Sequence, residues 1–83
     1  MYFNTPVMPI TMDQAQLTKV YLTDLERNLT FYGVVNKLTE VNNNMQVILT
    51  DVKVYEYESS NYLYSLPEIS FTRPKAVLHI EAA

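Results

Sequence analysis

One glycine, Gly33, stands in the middle of a β-patterned stretch and is the only glycine among 83 residues. From Leu29 to Lys37, Leu29, Phe31, Gly33 and Val35 fall on one face, and Thr30, Tyr32, Val34 and Asn36 on the other. That is the two-residue period of a strand. An interior strand glycine weakens pairing and packs nothing, so it marks a sharp bend or a close backbone approach. A polar loop, Leu38 to Asn44, leads to a second long apolar run, Met45 to Tyr57. A sheet bent at one point between two such runs can curl into a small barrel.

The rest of the chain is read as serving that barrel. Its length suits one domain, residues 11–83, preceded by an extended arm over residues 1–10 that carries Pro6 and Pro9. Thr11-Met12-Asp13-Gln14 fits a capping box, so a short helix is expected near Met12 to Leu17. Five strands follow. The first runs from Lys19 to Leu25, and Glu26, Arg27 and Asn28 connect it to the second. The third places Met45, Val47 and Leu49 on one face and Ile48, Val52 and Val54 on the other, as expected for a wall covered on both sides. The fourth, Tyr62 to Phe71, contains Pro67 and is therefore an edge or is broken there. Arg73-Pro74-Lys75 leads to a short last strand, Ala76 to Glu81. The expected fold class is mainly β: a short N-terminal helix followed by a strongly bent five-stranded antiparallel sheet.

Composition removes several classes of function. No cysteine is present, which excludes a disulfide framework and a thiolate zinc site, and the single histidine, His79, supplies no metal-ligand spacing. His79 itself reads as a core or interface residue. A formal charge of −3 argues against an indiscriminate polyanion binder while leaving room for a local basic patch. No apolar run reaches the roughly 18 residues of a membrane span, and Met1 to Ile10 lacks the pattern of a signal peptide. A cytoplasmic protein is expected, without a cofactor and not an enzyme. One glycine cannot build a phosphate cradle, and no histidine, serine and acid fall into a nucleophilic arrangement.

Three pieces of the sequence give the order of elements a likeness. Tyr32-Gly33-Val34-Val35 carries a glycine in the second strand. Asn44-Met45-Gln46 runs on to Leu49-Thr50-Asp51-Val52, an asparagine followed by an apolar strand that reaches an acid. Phe71-Thr72-Arg73-Pro74-Lys75-Ala76-Val77-Leu78-His79-Ile80 sets an arginine before a turn and a last apolar strand. Together these resemble the Sm/LSm family of RNA-associated proteins, across nearly the whole chain from Thr11 to Ile80. The resemblance implies an Sm-like small barrel of the SH3 type. The aspartate usual before the asparagine is missing, with Glu40 or Asn42 nearest. The segment from Gly33 to Asp51 is longer than the family pattern, and Pro74 stands where the family has glycine. These departures imply a distant branch, viral or environmental, rather than a spliceosomal core subunit.

The resemblance also implies a site and an assembly. In such a fold the loops after strands two and four meet at the inner rim of a ring, which would bring Lys37, Asn42, Asn43 and Asn44 together with Arg73 and Lys75. Asparagine amides can read an unpaired base edge, and arginine can stack on a base or fork onto a phosphate. The implied partner is single-stranded RNA, with DNA as the other nucleic acid. The protein itself is the other partner, in a ring of about five to seven copies joined fourth strand to fifth. Asn42 to Asn44 read equally as a polar turn, and Arg73 and Lys75 as a solvated connection. A scaffold that assembles proteins without binding RNA is the alternative function, with the tyrosine-rich hairpin as its surface. Tyr55, Tyr57, Tyr62 and Tyr64 are expected to pair across strands three and four, with Tyr21 and Tyr32 as packing residues.

Overall fold

A computed structural model describes residues 18–83. The arm and the capped helix expected near Met12 to Leu17 lie outside the described residues. Five antiparallel strands form one sheet: β1 (Lys19–Asp24), β2 (Leu29–Val41), β3 (Asn44–Glu56), β4 (Tyr62–Pro74) and β5 (Leu78–Ala82). A single 3₁₀ turn, Lys75–Val77, joins β4 to β5. The strand order is β4-β3-β2-β1-β5, so β4 and β5 are the two edges and the ladder does not close into a barrel.

The open sheet is nonetheless strongly curled. Phe31 pairs with Val54, and Phe71 pairs with Val47, so their levels on β3 differ by seven residues. Along a straight strand that is about 23 Å. Their ring centroids are 5.6 Å apart. The two long hairpins must therefore fold back on themselves.

Two irregularities in the β2–β3 ladder produce the curl. Tyr32 pairs with Lys53 but Val34 pairs with Thr50, which leaves Asp51 as an extra residue on β3. Asp51 takes a left-handed conformation, φ 53°. Val35 pairs with Leu49 and Lys37 with Ile48, which leaves Asn36 as an extra residue on β2. Each extra residue bends its strand and swaps which side chains face inward. On β3 the buried set passes from Met45, Val47 and Leu49 to Val52 and Val54 without changing face. The expectation of two apolar faces on this strand is corrected accordingly. The apparent second face was the first one continued past Asp51, and only Ile48 looks outward, half-buried.

Gly33 lies beside this bulge, and its φ is not left-handed. Close approach explains it: an added Cβ would lie 2.9 Å from the Thr50 carbonyl oxygen and 3.2 Å from Val52 Cγ2. The core lines the inner face, with Val20 and Leu22 of β1 and Phe31 and Val35 of β2 against the β3 set. Ile69, Phe71, Leu78 and Ile80 pack at its margin.

Three further expectations are corrected. The polar loop from Leu38 to Asn44 is mostly strand, since Leu38, Thr39, Glu40 and Val41 continue the ladder opposite Val47, Gln46, Met45 and Asn44. Backbone pairing there outweighs the loss of apolar alternation. Only Asn42 and Asn43 turn, with φ 51° and 66°, as a two-residue type I′ hairpin requires. The last strand begins at Leu78 rather than Ala76, because Lys75–Val77 form the 3₁₀ turn. His79 belongs to the outer row of β5 and not to the core; its exposed ring lies 3.5 Å from Glu81. Pro67 sits in an unbroken β4 that is an edge strand, where a missing donor is tolerated.

Candidate functional site

The curl carries the end of β4 and the β2–β3 turn to one end of the sheet. Asn44 pairs with Pro74 and Met45 with Arg73, and the Lys75 backbone N–H donates to the Asn43 carbonyl at 2.8 Å. Asn42, Asn43, Asn44, Arg73 and Lys75 thus share one rim. Lys37 does not join them. It is exposed opposite Ile48, five residues before Asn42, or about 16 Å along the strand.

Two different side-chain environments meet at this rim. Among the described residues the amides of Asn42 and Asn43 make no hydrogen bond and are exposed, while Asn44 Nδ2 donates to the Asn42 carbonyl at 3.5 Å. These amides can both donate to and accept from a ligand. Arg73 instead turns inward. Its Nε donates to Asp24 Oδ2 at 2.9 Å and its Nη2 to Asp24 Oδ1 at 3.4 Å. Nη2 also pairs with Glu26. Hydrogen bonds to Asp24, and then to Glu26, raise the guanidinium pKa above its ordinary value.

Asp24 is the residue that sequence reasoning missed. It ends β1 facing the core and is fully buried. The N–H groups of Glu26 and Arg27 both donate to its Oδ1 at 3.1 Å, which folds the β1–β2 connection around it. A signal was present: an aspartate just before a polar turn is a usual acceptor for the turn's own amides. Nothing in the sequence indicated that the same carboxylate would also hold Arg73. Lys75 Nζ is matched as well, 3.2 Å from Glu40 Oε1. Glu40 therefore steadies the rim's other cation.

No protein-family model matches the chain, and no curated protein matches it either. The arrangement must stand on its own chemistry. Arg27, 3.6 Å from Asp24 Oδ2, carries one positive charge and Arg73 and Lys75 two more, against three negative ones on Asp24, Glu26 and Glu40, so the formal charges of this connected set cancel. Among the described residues no group of His, Cys, Asp and Glu could hold a metal ion, and no helix is long and apolar enough to cross a membrane.

On the outer face, Tyr55 pairs with Tyr62 across β3 and β4, ring centroids 5.8 Å apart, as expected. Tyr64 stands opposite Val54 rather than another tyrosine, because the ladder shifts between Val54 and Tyr55. Tyr21 and Tyr32 pack on each other at 4.7 Å.

Proposed function

We propose that this chain is a divergent Sm-like subunit that joins its own copies edge to edge and binds single-stranded RNA at the rim of the resulting ring. The carrying observation is the juncture of the β2–β3 turn with the β4–β5 connection, tied by the Lys75–Asn43 backbone bond. It sets two free asparagine amides beside Lys75. Among the described residues β4 and β5 are the unpaired strand edges, which supports the assembly, since such edges accept another strand. A β4-to-β5 contact is heterologous and closes into a ring when its rotation allows. Within this reading Arg73 shapes the rim, and Asn42, Asn43 and Lys75 touch RNA. Repetition around a ring would multiply a patch that is weak in one copy.

The test combines mass with binding. Light scattering should give a single oligomer, and short U-rich or A-rich RNA should bind less tightly as salt rises. Lys75→Ala combined with Asn43→Gly should weaken binding without changing the mass. A monomer at high concentration, or unchanged RNA affinity in the double variant, overturns the proposal.

A second reading has its own support. The pairing of Arg73 and Lys75 with carboxylates leaves the rim little net charge, which suits a protein-assembly scaffold. An oligomer that purifies free of nucleic acid and binds no oligonucleotide decides for it.

A further inference from the structure

We infer that a hollow on the outer face of the sheet, away from the rim, binds a guanidinium group carried by an arginine of a partner protein. The hollow measures about 490 Å³. Thr23 and Thr30 lie within it, their hydroxyls 3.0 Å apart, and Thr23 is only 6 % exposed although it faces away from the core. Tyr21, Tyr55 and Tyr57 line it together with Glu56 and Glu81. The aromatic groups are braced: Tyr21 packs on Tyr32, and Tyr55 on Tyr62.

Its charge selects the ligand. Glu81, opposite Tyr21 on the outer row, and Glu56, at the end of β3, line the hollow, with no lysine or arginine among the described residues, so a phosphate or another anion would be repelled. Glu81 lies 3.5 Å from His79, and Glu56 accepts from the Ser59 hydroxyl. A carboxylate offers about four acceptor positions, so both retain capacity. Tyrosine faces attract cations, and the chain already sets one on this array, Lys19 Nζ at 5.8 Å from the Tyr32 ring centroid. A guanidinium fits better than an ammonium because it is flat and weakly hydrated, stacks on a ring and forks onto a carboxylate. The inference is independent of RNA binding at the rim.

The experiment follows amide shifts of the full chain by NMR during titration with N-acetyl-arginine methylamide. The lysine analogue and the uncharged citrulline analogue serve as comparisons. Saturable shifts are expected at Tyr21, Thr23, Thr30 and Tyr55, with citrulline binding at least about tenfold more weakly. Glu56→Gln with Glu81→Gln should remove most of the arginine response while distant resonances stay in place. If that pair does not fold, Tyr57→Leu, at an exposed position, should weaken binding in its stead. Equal binding of citrulline or lysine, no shifts at the hollow, or unchanged affinity in a folded variant overturns the inference.

Discussion

Arg73 near the end of β4 holds Asp24 at the end of β1, with Nε 2.9 Å from Oδ2, although β2 and β3 separate their strands. Through the ladders, Asp24 stands level with Leu29 and Glu56, and Arg73 with Met45. Those levels differ by eleven positions along β3, about 36 Å if the strand were straight. The ion pair is thus both a product of the curl and a lock on it. Without Arg73, buried Asp24 would keep the two turn N–H groups and Arg27 at 3.6 Å but lose its closest charged partner, and breaking a buried ion pair is strongly destabilising.

Arg73→Ala should therefore lower the urea midpoint clearly, and Arg73→Lys should restore only part of the loss because a point charge cannot reproduce two fork contacts. Lys75→Ala, which breaks the more exposed pair with Glu40, should cost about 0–1 kcal/mol. Equal midpoints for the two alanine variants would show that Asp24 does not depend on Arg73. Any loss of RNA binding in Arg73→Ala must be compared with this loss of stability.

Gly33→Ala tests the close approach at the bulge. The new methyl meets a backbone oxygen that cannot swing aside, and overpacking of this kind costs about 1–3 kcal/mol. Chemical denaturation measures it. A neutral result would mean that the Thr50 backbone yields freely.

Phe31 and Phe71 report directly on the curl. Phe31→Ala should cost about 3–5 kcal/mol, as for a buried aromatic. A double-mutant cycle with Phe71→Ala should give a coupling of about 0.5–1.5 kcal/mol beyond the lost area. Zero coupling is incompatible with rings in contact.

Asn43 separates turn-forming from ligand reading. Asn43→Ala should destabilise the hairpin by about 1–2 kcal/mol, since φ is 66°, whereas Asn43→Gly should be tolerated. RNA affinity that falls in Asn43→Gly at unchanged stability assigns the amide to the ligand. Unchanged affinity there leaves Asn43 as a turn residue alone.

Much of the fold was legible because its signals are local. Alternation located β1 and the first half of β2, and of the two readings of Pro67, an edge or a break, the edge holds. Gly33 pointed to a bend or a close approach, and the close approach is what its surroundings require. The continuation of β2 through Leu38–Val41 was hidden, since Thr39 and Glu40 join through backbone bonds that any side chain permits. The Asp51 bulge was misread as a second apolar face, although the shift from Met45, Val47 and Leu49 to Val52 and Val54 is its visible trace. The gathering of Asn42, Asn43 and Asn44 with Arg73 and Lys75 came from the family resemblance, while the inward turn of Arg73 had no signal of its own.

Side-chain period and turn chemistry by themselves determined that this chain makes an antiparallel sheet with a singular point at Gly33, because both act between residues close in sequence. Only the tertiary structure decided where the cations go. Asp24 and Arg73 are 49 positions apart, and the choice between a base, a phosphate and an internal carboxylate depends on a curl summed over two bulges.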